Sequence, residues 1–209
     1  MPQLSGEFVI FEKIDTTMVE LNQNISTIPS YLIYEQLDGI DIYFDGYREV
    51  LNKTKKLEEI MGYGELQWFI LNTLGDFLKE NLSKTYKVLT GEGGLHLGHK
   101  KNLSIDMAIF LKSQLSYKKL KNRYSKKIPQ VVIEVDTKAD PETFQKTNYY
   151  TVKTQQLLDF GVPMVVWLFT DSEKVTIATN DKPWITVNWS DEITVLELSF
   201  VIEKVLEEA

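Results

Sequence analysis

The 209-residue chain contains no cysteine. That absence removes disulfides, thiolate zinc sites, iron–sulfur clusters and cysteine nucleophiles together. Histidine is nearly as scarce: His96 and His99 are the two imidazoles, too few for a multi-histidine zinc site. Long hydrophobic runs are missing too. The longest, Val162 to Phe169, falls well short of the roughly 20 residues a membrane-spanning helix needs. The opening MPQLSGEFVIFEK has neither a basic n-region nor a long apolar h-region, so a cytoplasmic protein with no membrane partner is expected. Glycine (11) and proline (6) are sparse, which excludes collagen-like and low-complexity chains. What remains is ordinary globular material, 43% hydrophobic and 25% charged. It can bury one substantial core. A single domain is expected, with an N-terminal arm over residues 1–30 and the folded body over 31–209.

Positive charge is short overall, at a formal net −7, yet it is concentrated. Gly98 to Lys127 holds nine basic residues and one acid, Asp106, a local +8 that leaves −15 on everything else. Such a stretch is either a solvated lysine-rich loop or a phosphate-facing patch on an acidic body. Its candidate nucleic-acid contacts are Lys118, Lys119, Lys121, Arg123, Lys126 and Lys127.

Patterning gives the elements. Pro29 to Leu37 reads as a short helix ending at Gly39. Ile40 to Phe44 alternates as a strand, and Asp45-Gly46 reads as a hairpin turn into Tyr47–Leu51. Between Gly64 and Leu82 the apolar period becomes helical. Strands are predicted around Tyr86–Leu89, Gly94–Leu97 and Ser104–Leu111, with Gly91-Glu-Gly-Gly94 as a turn. Gln130 to Asp136 reads as a buried strand. A helix runs from near Pro141 to Phe160, with Gly161 at its C′ position. Further strands follow at Val162–Phe169, Lys174–Ala178 and Trp184–Val187, then an amphipathic helix over Leu196–Glu207. This order predicts an α/β fold with a central mixed β-sheet flanked by helices.

Three charges intrude where the pattern asks for apolar residues. Glu134 interrupts Val131-Val132-Ile133 and Val135, and Asp106 interrupts Ile105 and Met107-Ala108-Ile109-Phe110. A carboxylate in a strand buried on both faces must be paired, protonated or bound to a cation. If the two converge, they form a site for a hard divalent ion. The alternative is that each faces water from an edge strand. Lys153 shares a helical face with Tyr150 and Leu157, so its ammonium either points inward to an anionic partner or snorkels out along its stem.

Ser104-Ile-Asp106, then Pro129-Gln-Val-Val-Ile-Glu134-Val-Asp-Thr137, then Lys153 eight residues before Gly161-Val162-Pro163, then Val166-Trp167-Leu168 together resemble the PD-(D/E)XK nuclease superfamily. The closest likeness is to its Uma-two-type restriction endonuclease family. The resemblance spans roughly Tyr31 to Ile177 and includes the Leu37-Asp-Gly39 turn. It departs in places: Ile105 replaces the usual proline, Asp136 stands at the superfamily's lysine position, Thr137 replaces a serine, and Leu157 replaces a tyrosine. The resemblance implies a restriction-endonuclease-like fold and Mg²⁺-dependent hydrolysis of DNA phosphodiesters, with Mn²⁺ as a substitute ion. It implies Asp106, Glu134 and the Val135 carbonyl as metal ligands and Lys153 as the charge-stabilising catalytic residue. Glu65, Asp136 and Lys138 are additional candidates, Lys138 as a competitor for the lysine's role. Cutting both strands would favour a two-fold homodimer. The competing reading is a catalytically inactive nuclease-like module that binds nucleic acid or protein.

Overall fold

The computed structural model describes residues 28–37, 39–136, 139–140 and 146–209. Along them run β1 (Ile33–Leu37), β2 (Ile40–Tyr43), α1 (Tyr47–Leu51), α2 (Glu58–Met61), α3 (Glu65–Asn81), β3 (Tyr86–Gly98), β4 (Lys101–Leu111) and β5 (Val131–Val135). Then follow α4 (Lys146–Asp159), β6 (Met164–Phe169), β7 (Lys174–Thr179), β8 (Ile185–Asn188), β9 (Glu192–Val195), β10 (Leu198–Val201) and α5 (Ile202–Glu207). Eight strands make one sheet in the order β2-β1-β4-β5-β6-β7-β8, with β3 paired to β4. The β5–β6 pair is parallel and bridged by α4, while β4–β5 and β6–β7 are antiparallel. The sheet is therefore mixed, as expected. β9 and β10 form a separate ribbon. No helix among the described residues is long and apolar enough to cross a membrane.

The apolar run of β5 is continuous because both faces are covered. Val131, Ile133 and Val135 pack in one cluster with Ile70, Leu71, Leu74 and Leu78 of α3. Val132 belongs to the other, with Tyr149, Leu157 and Leu158 of α4, Val165 and Trp167. Helix α4 ends in a Schellman turn: the Val162 N–H donates to the Leu157 carbonyl (3.0 Å) and the Gly161 N–H to the Leu158 carbonyl (2.9 Å). Gly161 adopts φ 103°, the left-handed conformation that this turn requires and glycine accepts without strain. Leu157 and Val162, which the turn brings together, are both fully buried. The stop fixes where α4 lies on the sheet, and hence where Lys153 stands.

Several local expectations are overturned. Pro29–Leu37 is not a helix: after a 3₁₀ turn over Ser30–Leu32 it becomes β1. It pairs antiparallel with β2, Glu35–Leu37 against Ile42–Ile40, so the hairpin lies at Gly39 and not at Asp45-Gly46. Gly46 instead precedes α1, and Tyr47–Leu51 is helical. The two short strands expected around Gly91–Gly94 are one strand, β3, carrying a bulge between Thr90 and Gly93. Leu196–Glu207 is not one helix. Its first half pairs with β9 as β10, where β-branched and aromatic side chains outweigh the helical period, and only Ile202–Glu207 coils. Pro141, expected near the start of α4, lies outside the described residues.

Candidate active site

Strand β4 shares one edge between two neighbours. Near its start Asn102 pairs with Gln36 of β1, and near its end Met107–Ile109 pairs with Ile133–Val131 of β5. Ser104 and Asp106 lie between those pairings. Backbone groups there cannot be left bare in a buried place, so side chains take them up. The Ser104 N–H donates to Glu35 Oε2 (3.1 Å), and Lys153 Nζ donates to the Ser104 carbonyl (2.7 Å). On the other side of the gap the Val135 N–H donates to Asp106 Oδ2 (2.9 Å). Continuing the β4–β5 register by one step sets Asp106 opposite Glu134.

Lys153 is the centre of this arrangement. It is 1% exposed, and its Nζ lies 3.2 Å from Glu134 Oε1 and 3.2 Å from Glu35 Oε2. The rings of Trp167, Tyr149 and Tyr34 surround the ammonium at 5.6, 5.7 and 5.8 Å, a favourable cation–π enclosure. Burial alone would lower this lysine, but Glu134 and then Glu35 reverse that and hold it well above its ordinary value. It therefore stays an ammonium. Glu134 is pushed well above the usual carboxylate range by burial; Lys153 opposes the shift, and Asp106 and Glu35 add to it. Sequence patterning missed Glu35, which also accepts a 2.5 Å hydrogen bond from the Tyr149 hydroxyl. Reading Ile33–Leu37 as a strand would have exposed it as a third carboxylate in an apolar segment.

Asp106 reaches its place through an irregularity. Leu103 and Ile105 pack in the cluster beneath α4, whereas Met107 and Ile109 pack beneath α3. The in–out alternation of β4 thus changes phase at Asp106. Opposite it β3 carries the extra residue of the bulge, with Gly91 at φ 101°. Bulges of this kind re-aim a side chain, and here Asp106 is turned toward α3. Gln67, in the first turn of α3, donates from Nε2 to the Val135 carbonyl (2.7 Å) and to Asp106 Oδ2 (3.3 Å). No sequence signal marked Gln67, because an amide does not interrupt a helical pattern.

The remaining candidates are placed as follows. Glu65 is exposed at the start of α3. Asp136 accepts from the Thr170 N–H (3.0 Å) and hydroxyl (2.5 Å) at the end of β6, with its own φ at 52°. Lys138 lies outside the described residues. Lys118, Lys119, Lys121, Arg123 and Lys126 are exposed on the segment between β4 and β5, and Lys127 is half-buried, donating to the Gln114 carbonyl. That segment is docked on β3 through Ser125, which exchanges hydrogen bonds with Gly94 and His96. Next to the site, Trp68 is 63% exposed. Trp167 and Trp189 are buried.

Oxygen donors of the kind a hard divalent cation takes lie here. Asp106 Oδ2 and the Val135 carbonyl already converge on one point, the Gln67 amide nitrogen, and Glu134, the residue before Val135, turns its Oε1 to Lys153. Among the described residues no cluster of three or more Asp, Glu or His side chains in a metal-holding arrangement occurs. Were Glu134 to join Asp106 and the Val135 carbonyl, two carboxylates and one carbonyl would leave the other positions to water, as Mg²⁺ prefers.

No known family profile matches the chain, and no curated protein matches its sequence. Its fold does match a solved structure, described as "a putative nuclease belonging to DUF820" from Anabaena variabilis. That match has a TM-score of 0.55 and 16% identity, and covers 70% of this chain and 83% of the other.

Proposed function

We propose that the chain is a divalent-cation-dependent nuclease that hydrolyses DNA phosphodiester bonds. The observation that carries the reading is the gap on the β4 edge, where Asp106 accepts from the Val135 N–H next to Glu134, whose carboxylate lies 3.2 Å from the buried Lys153 ammonium. The likeness in fold to a protein described as a nuclease supports the reading without fixing the substrate. Asp106 Oδ2, a Glu134 oxygen and the Val135 carbonyl would hold Mg²⁺ or Mn²⁺. When bound, the ion supplies a water of lowered pKa and positive charge beside the scissile phosphate. Lys153 pairs with Glu134 and balances its charge, while Glu35 anchors the Lys153 ammonium from the other side, so this part of the ligand set is preorganised rather than assembled on binding. Outside the site, the exposed cations Lys118, Lys119, Lys121, Arg123 and Lys126 would meet phosphates, with half-buried Lys127 beside them. Exposed Trp68 would lie against the nucleic acid.

The test is cleavage of duplex and single-stranded DNA with Mg²⁺ or Mn²⁺, against a chelator control. Asp106→Asn and Glu134→Gln should each lower the rate by about a hundredfold or more. Cleavage that survives the chelator, or both substitutions, overturns the proposal. A second reading, a nuclease-like module that binds without turnover, is favoured by the sealing of Lys153, which leaves its ammonium no open path to a phosphate. It predicts salt-dependent DNA binding with no cleavage under either ion.

A further inference from the structure

The most specific unassigned contact in the molecule is the one Gln67 makes. Its Nε2 lies 2.7 Å from the Val135 carbonyl oxygen and 3.3 Å from Asp106 Oδ2. Those are two of the three oxygens that the proposed function gives to the cation. An amide NH₂ carries two donor hydrogens and no acceptor on that atom. It therefore satisfies both oxygens as a cation would, by presenting positive charge to each. One point in space cannot hold the amide nitrogen and an ion together.

We infer that Gln67 is a gate on the cation site, its amide competing with the ion for Asp106 and the Val135 carbonyl. The inference rests on the proposed cation site and adds how that site is kept in the absence of metal. Without an ion, the gate gives the buried Val135 carbonyl and Asp106 Oδ2 a shared donor. It also fixes the Asp106 carboxylate, which already accepts from the Val135 N–H. On ion entry the Gln67 side chain must withdraw. It sits on the first turn of α3, flanked by exposed Leu66, Trp68 and Phe69, so the turn faces solvent on that side and gives the side chain room to withdraw. Metal occupancy is then coupled to the rotamer of one glutamine, and the apparent affinity carries the cost of breaking its two hydrogen bonds.

The experiment measures Mn²⁺ binding directly, by the paramagnetic resonance signal of free Mn²⁺ and by calorimetry, on the full chain. Gln67→Ala, and Gln67→Met as a variant that keeps side-chain bulk without an N–H donor, should each bind Mn²⁺ about tenfold more tightly than wild type. Both should melt at a lower temperature than wild type when no ion is present. Weaker binding by both variants overturns the gate and makes Gln67 a ligand. Unchanged affinity also overturns it, while leaving the cation site standing if Asp106→Asn abolishes binding. Silence of wild type and variants alike removes the cation site and the gate with it. Binding by the variants alone supports the gate in its strongest form.

Discussion

Glu35 and Glu134 hold the same ammonium, yet their removal should have opposite effects. Glu35 also accepts from the Ser104 N–H and the Tyr149 hydroxyl, so Glu35→Ala orphans two buried donors as well as half the pairing of Lys153. Breaking a buried pair from one side costs about 3–5 kcal/mol, and that loss should appear in denaturant unfolding. Glu134 is different because burial, Asp106 and Glu35 all push its carboxyl up, and Lys153 only partly offsets them. A carboxyl raised in the folded state contributes stability below its unfolded value and loses it as pH rises through the raised one. Glu134→Gln removes that loss and keeps an acceptor for Lys153. Without metal the variant should equal or exceed wild type in stability at neutral pH, with its advantage growing as pH rises from 4. It should gain no melting temperature on adding Mn²⁺. A variant less stable than wild type at pH 7 would show that the Lys153 pairing outweighs the repulsion.

At the scale of elements, the bulge on β3 is the device that turns Asp106. Gly91 has a φ of 101°, and nothing lies within 4 Å of where a Cβ would stand. Gly91→Ala should therefore cost only backbone strain, about 1–3 kcal/mol, read by thermal unfolding, and should loosen the aim of Asp106. The bulge also shows where patterning stops. Asp106 and Glu134 were legible because a carboxylate in an apolar strand breaks a period that is otherwise clean. The same segment's GEGG run suggested a turn, since glycine marks bulges and turns alike and only the pairing register separates them. Glu35 was hidden by an error of one element: read as a helix, the segment had no inside for a carboxylate to violate. Gln67 was beyond reach, since its meaning comes from two oxygens that are 39 and 68 residues away. The α/β class and mixed sheet were recoverable because β5 and β6 are unbroken apolar runs and α3 is long and cleanly periodic.

For the whole molecule, charge is the organising quantity. The chain carries −15 outside the stretch from Gly98 to Lys127, and that stretch carries +8. A duplex would be repelled by most of the surface and drawn to one segment, which fixes orientation before any close contact forms. Reversing Lys118, Lys119, Lys121 and Arg123 should flatten the dependence of DNA affinity on salt by about 0.9 per lost phosphate contact. Titrations between 50 and 200 mM salt, set to span the usual range of that dependence, would measure it. An unchanged slope would return the segment to the role of a solvated loop.

The enclosure of Lys153 has a chemical corollary. An acylating reagent needs a free, accessible amine, and this one is an ammonium 1% exposed, ringed by three aromatic side chains and tied to two carboxylates. In the folded protein its modification can proceed only through molecules that have momentarily opened the cleft between α4 and the sheet. The labelling rate of Lys153, taken relative to an exposed lysine such as Lys118, is thus a clock for that opening. Its logarithm should track the local unfolding free energy, and under the proposed cation site it should fall when an ion holds Asp106 and Glu134 together.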